Sequence, residues 1–187
     1  MAKKSKTNLV LSIIVIVLGV LTILPLFINY FGLRISYEGD AITYAIPLFG
    51  KYTLGDGNDT TKNAVMDLFK EILGESLLSS KPLFITIQVI TVIGAIGGVA
   101  LAVFAILKLV GVKIGILDTI AKFTALVLVG VAVLAIVLGL IFIIANLIDL
   151  KDVGMFDKTK NLFFGIEGWL IGIVATAGCG ILSLKNN

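Results

Sequence analysis

Four long apolar runs, at 9–32, 83–107, 123–148 and 162–184, decide what this chain can fold into. A helix rises about 1.5 Å per residue, so crossing a hydrocarbon layer about 30 Å thick takes roughly 20 mostly apolar residues. Each run reaches that length with at most one ionisable side chain inside it. Of the 187 residues, 58% are hydrophobic and 14% charged, against roughly a quarter charged in a typical soluble domain. The predicted fold class is therefore an all-α membrane protein, a bundle of four transmembrane helices forming a single domain. Three polar connections of unequal length, 33–82, 108–122 and 149–161, join the spans.

Lys3, Lys4 and Lys6 precede the first run as a signal peptide's basic segment would, yet no small-x-small cleavage pattern appears before Pro25. The segment reads as a retained signal anchor, and Ala2 in place of glycine excludes N-myristoylation. Lysine and arginine collect on the cytoplasmic side of membrane proteins. With the N-terminus inside, 7 basic residues fall within 26 cytoplasmic positions, against 8 within 63 on the other side. Both termini are expected to be cytoplasmic, in a plasma (cytoplasmic) membrane, with 33–82 and 149–161 outside. Because the lysines sit beside span ends instead of forming a basic stripe, the lipid bilayer is the expected partner and nucleic acid is not.

The first connection is too long to be a mere link. Ile35 and Tyr37, a Glu38-Gly39-Asp40 turn, then Ile42, Tyr44 and Ile46 alternate as strands do, and Tyr52 and Leu54 suggest a third. A small antiparallel β-sheet is expected. From Thr61 to Ser79 the period becomes helical, with Val65, Leu68, Phe69 and Ile72 on one apolar face, the expected partner-binding surface. Between them, Asn58-Asp59-Thr60 is either an N-glycosylation sequon or an ordinary polar turn. Asp56, Asn58, Thr60 and Asp67 have a calcium-loop-like spacing, but Thr61 stands where such a loop needs glycine and Asp67 where it needs glutamate.

A sheet followed by an extracellular helix, between spans one and two of a four-span chain with cytoplasmic ends, resembles the architecture of the claudin family of tetraspan junction proteins. Residues 33 to 82 contain neither tryptophan nor cysteine, so the family's signature motif is absent and the resemblance is one of topology. It implies a scaffold for lateral assembly and for contacts outside the membrane.

Helices in lipid associate through small residues and polar contacts, since burying leucine gains little there. Gly94 and Gly98 in span two, Ala135 and Gly139 in span three, and Gly168 and Gly172 in span four are the expected packing positions. Packing within one bundle is the favoured use, contact between copies the other. Cys179, the sole cysteine, is a small packing residue between Gly178 and Gly180 or else an acylation site. Trp169 is expected in the interfacial aromatic belt.

Asn29, Gln88, Asn146, Asp149 and Glu167 fall in the outer third of the spans and form a candidate outer-rim polar cluster, either a hydrogen-bonded cap or a vestibule for an ion, headgroup or partner. The middle and inner thirds carry no charge, so conduction through the monomer is not expected. No histidine is present and Cys179 has no neighbouring base, so neither catalysis, a cofactor nor a metal is expected. The expected role is a non-catalytic tetraspan protein mediating lateral assembly, as a homo-oligomer or with another membrane protein, or recognising an extracellular partner through its first loop. The alternative is an accessory subunit of a transporter, channel or secretion complex.

Overall fold

The structure is a computed structural model. It describes residues 2–37, 40–49, 51–55, 60–64, 81–112, 115–152 and 161–186, with side chains at 8–32, 47–49, 82–112, 115–145 and 166–186. In chain order the elements are α1 (Ala2–Leu21), a 3₁₀ turn (Leu24–Leu26), β1 (Asn29–Tyr37), β2 (Asp40–Pro47), β3 (Lys51–Gly55), β4 (Thr60–Ala64), α2 (Lys81–Leu109), α3 (Gly115–Asp152), β5 (Asn161–Gly165) and α4 (Glu167–Asn186). Four helices are long and apolar enough to cross a membrane, over Asn8–Leu26, Pro82–Leu109, Gly115–Ala145 and Glu167–Asn186.

Three span boundaries differ from the sequence reading, each for a local reason. The first helix ends at Leu21, not at 32. Pro25 has no N–H to continue the helical ladder, and its ring disfavours helical geometry in the residue before it. The chain then turns and enters β1 at Asn29. Residues 162–165, taken as the start of the fourth span, are strand β5, and the helix begins at Glu167. Between the middle helices the expected connection 108–122 shrinks, because α3 starts at Gly115. The turn before it is built by Gly111, whose φ of +89° is a left-handed conformation that costs glycine little. Its N–H donates to the Lys108 carbonyl at 3.2 Å, and the Val112 N–H donates to the Leu107 carbonyl at 3.0 Å. That pairing is the Schellman helix stop, which satisfies two carbonyls the helix would leave open.

Backbone pairing orders the strands β4-β3-β2-β1-β5, antiparallel throughout. β1 lies between β2 and β5, so the connection before α4 adds a strand to one that follows α1. At Thr60–Ala64 the chain is strand where the sequence reading started a helix at Thr61. Consecutive β-branched threonines restrict χ1 in a helix and sit well on a pleated strand. The rest of that predicted helix lies outside the described residues.

The chain divides into two compact units. The first comprises Met1–Leu24, Ile90–Ile136 and Leu170–Asn187; the second comprises Pro25–Val89 and Val137–Trp169. In the first, Val15, Leu101, Ala105, Ala121, Ala125, Leu128 and Cys179 form the core. Small residues let helices approach there. A Cβ on Gly98 would fall inside the Thr22 side chain, and one on Gly180 would stand 2.9 Å from the Ala125 carbonyl oxygen. Thr22 fills the space Gly98 leaves, and its hydroxyl donates to the Gly19 carbonyl at 2.6 Å, with the Ala95 carbonyl of α2 at 3.4 Å. Cys179 is fully buried, its Sγ 3.8 Å from the Val15 carbonyl oxygen, which is a packing position.

Candidate functional site

The second unit assembles a site from aromatic side chains. Tyr30 and Phe31 at the start of β1, Phe84 and Ile87 on α2, Phe142 on α3 and Trp169 on α4 are each at most 5% exposed. Phe31 stacks on Phe142, with centroids 5.0 Å apart and ring planes 22° from parallel. It meets Tyr30 edge to face at 5.0 Å and lies 6.3 Å from Trp169. Phe84 lies 5.6 Å from Phe142, its ring plane tilted by 38°. Each such pair stabilises by roughly 0.5–1.5 kcal/mol beyond the area it buries. One strand and three helices are thereby joined around Phe31 and Phe142.

Glycines admit this volume. A Cβ on Gly139 would lie within the Trp169 indole, 2.7 Å from Cζ2, and one on Gly168 would stand 2.8 Å from the Tyr30 Cα and overlap the Asn29 carbonyl. The loop after β2 is fixed as well. Leu48 is fully buried, and the Gln88 side-chain amide donates from Nε2 to the Leu48 carbonyl at 2.6 Å.

Of the predicted outer-rim cluster, the side chains of Asn29, Gln88 and Glu167 are among the described residues. Gln88 serves a loop carbonyl. Asn29 is an exposed strand residue whose backbone, not its side chain, meets α4 at Gly168. Glu167 is exposed and is the first residue of α4, where a carboxylate complements the partial positive charge of a helix start. Among the described residues its side chain has no hydrogen-bond or ion-pair partner. Because β5 uses up the preceding residues, Glu167 stands at the beginning of the apolar helix and not a turn or more inside it. Asn146 and Asp149 belong to α3, and their side chains lie outside the described set.

All six predicted packing positions, Gly94, Gly98, Ala135, Gly139, Gly168 and Gly172, are buried within the chain itself. Trp169 is 5% exposed, so it is a core residue and not a belt residue; Phe27, 79% exposed just before β1, is an aromatic that does face outward at this level. Val65, Leu68, Phe69 and Ile72 lie outside the described residues, as do Asp56, Asn58 and Asp67.

Sequence reasoning missed the Tyr30-Phe31 anchor by absorbing both residues into the first span. Pro25 and the aromatic density after it were the available signal. It also passed over Ser12, Lys108, Asp118, Ser183 and Asn186 as a set of polar groups that could line one cavity, because each reads singly as an ordinary residue near a span end. Neither a family model, nor a curated protein, nor a solved structure matches this chain.

Proposed function

We propose that this chain is a non-catalytic tetraspan membrane protein that mediates lateral assembly or extracellular recognition through its first connection, with both termini in the cytoplasm. One observation carries the reading. The start of β1 and the loop after β2 are locked to helices by Phe31, Phe142 and Trp169 and by the Gln88 amide, as a surface held in fixed register requires and a passive linker does not. Among the described residues, strands β4 and β5 end the sheet, and a sheet edge offers unpaired N–H and C=O groups to a partner's strand. The resemblance to claudin architecture supports the same use of the scaffold. Among the described residues, no group of three or more His, Cys, Asp or Glu side chains comes together in a metal-binding arrangement.

Crosslinking of the full chain in membranes, followed by native mass measurement, tests the proposal. A defined homo-oligomer that is lost in a Leu68→Ser, Phe69→Ser double variant supports it. A monomer, or assembly that survives replacement of the first connection by a Gly/Ser linker, overturns it. Stoichiometric co-purification with an unrelated membrane protein would instead make it an accessory subunit. Orientation has its own check: a cysteine at Asn58 should react with an impermeant maleimide in intact cells and one at Asp118 should not.

A further inference from the structure

The first unit contains a cavity of about 430 Å³, close to the C-terminal end of α4. Sites for small ligands run from roughly 300 to 1,000 Å³, whereas a water molecule occupies about 30 Å³ of liquid. The lining has two characters. Lys108, Asp118, Ser183 and Asn186 supply polar groups, and Leu101, Phe104 and Leu117 supply an apolar wall. These residues come from the C-terminal part of α2 between Leu101 and Lys108, the first turn of α3 and the last turn of α4, so the cavity lies toward the ends of these membrane-crossing helices.

Asn186 marks the cavity as unfilled in chemical terms. It is 8% exposed, and its Nδ2 donates to the Ser12 hydroxyl at 2.9 Å. Its backbone carbonyl accepts from the Lys108 ammonium. Its Oδ1 is buried with no hydrogen-bond partner. An unmatched buried amide oxygen is a net cost to the fold, and a donor brought to it removes that cost. Exchanging the two ends of the amide would move the deficit to the nitrogen without removing it. A ligand that both donates and accepts answers either arrangement.

Charge and position narrow the ligand further. Lys108 presents a cation suited to a phosphate, and Asp118, exposed in the first turn of α3, presents an anion suited to an amine. Around the mouth, Val110 is 76% exposed and Ile116 67%, so the apolar surface of the helices continues up to it. A headgroup with phosphate and primary amine, attached to acyl chains, matches this set. We propose that the cavity holds the phosphoethanolamine headgroup of a membrane phospholipid, with the phosphate at Lys108, the ammonium between Asp118 and Asn186, and the upper acyl chain against Leu101, Phe104 and Leu117. The bound lipid would close the end of the bundle. The inference is independent of what the first connection recognises.

The test uses delipidated full-length protein in detergent, titrated with dioleoyl phosphatidylethanolamine, phosphatidylcholine and phosphatidylglycerol and read by native mass spectrometry. Choline keeps the phosphate and the positive charge but has no N–H to donate. Phosphatidylethanolamine should therefore bind about tenfold more tightly than phosphatidylcholine, the ratio one hydrogen bond can supply. Asn186→Leu, which removes the unmatched acceptor oxygen, should bring that ratio close to one, and Asp118→Asn, which removes a charge that both head groups meet, should weaken both lipids. Asp118 is exposed and has no side-chain partner among the described residues, so this variant is expected to fold. Ala121→Leu should fill the cavity beside the wall and weaken both phospholipids alike. Soluble phosphoethanolamine at millimolar concentration should not displace the lipid. Equal binding of the two zwitterionic lipids, preference for phosphatidylglycerol, or a ratio that Asn186→Leu leaves unchanged would overturn the proposal. Displacement by soluble phosphoethanolamine would also overturn it, since the site would then belong to a soluble amine-phosphate.

Discussion

The two units solve the same packing problem with opposite materials. In the first, helix meets helix, and the contacts are glycine, alanine and threonine: Gly98 against Thr22, Gly180 against the Ala125 carbonyl. In the second, a strand and a loop arrive among helices, and the contacts are phenylalanine, tyrosine and tryptophan. Lipid gives helices little reason to bury leucine, so close backbone approach and hydroxyl-to-carbonyl bonds decide association there. Where irregular backbone has to be joined to helices, side-chain volume fills the gap, and each polar backbone group needs its own partner. Gln88 supplying the Leu48 carbonyl is one instance.

Deleting volume should therefore injure the second unit and adding volume the first. Phe142→Ala removes a fully buried ring that touches both Phe31 and Phe84. Its expected cost is the largest, about 3–5 kcal/mol. Hydrogen exchange should show lost protection at β1 and the Leu48 loop, with residues 8–24 and 170–186 still protected. Loss of protection everywhere at once would show that the two units unfold as one. Next in size is Gly98→Leu, which forces a side chain into Thr22. Thermal unfolding in detergent should report a loss of about 1–3 kcal/mol, the usual range for overpacking.

Smaller effects sharpen the contrast. Gln88→Leu should cost about 1–3 kcal/mol if the Leu48 carbonyl then finds no donor, and about 0.5–1.5 kcal/mol if water replaces the amide. Exchange at residues 47–49 would register the first outcome as local opening. The smallest change should come from Gly130→Leu, where no neighbour lies within 4 Å of an added Cβ. A shift within about 0.5 kcal/mol is expected, as at an exposed site. A larger loss in unfolding measurements would mean that Gly130 packs against something outside the single chain.

How much of this was legible follows the same division. The four helices were readable because their apolar runs are long, and Gly94, Gly98, Gly139 and Gly168 were readable because small residues stand out among leucine and isoleucine. Helix ends were not readable where strand and helix share one apolar run. Residues 162–165 are as apolar as the helix they adjoin, and 27–32 set Phe27, Ile28 and Phe31 directly after an apolar run, so both stretches are too short for periodicity to separate strand from helix. Two charges could have corrected this. Glu167 and Asp118 both stand in the first turn of a helix, where acids are favoured, and each marks a start that hydrophobicity alone puts elsewhere. Gly111 was a stop signal of the same kind. The depth given to Asn29 and Glu167 follows from the same misplaced ends, since both count as lipid-buried only while their segments are assigned to helices.

The pairing of β1 with β5 sets an order of events during synthesis. Ser36 and Asn161 are partners although 125 positions separate them in the chain. At roughly 5–20 residues per second, a ribosome needs on the order of 6–25 s to make the stretch between them. For that interval the β1 edge has no permanent partner, and an unpaired edge invites pairing with other chains. The sheet therefore closes only after three of the four membrane-crossing helices have been made, and its last strand is followed at once by α4. A stall or truncation between residues 37 and 161 would release a chain with its first helix complete and one side of β1 open, which makes the final quarter of the sequence a quality check on the first.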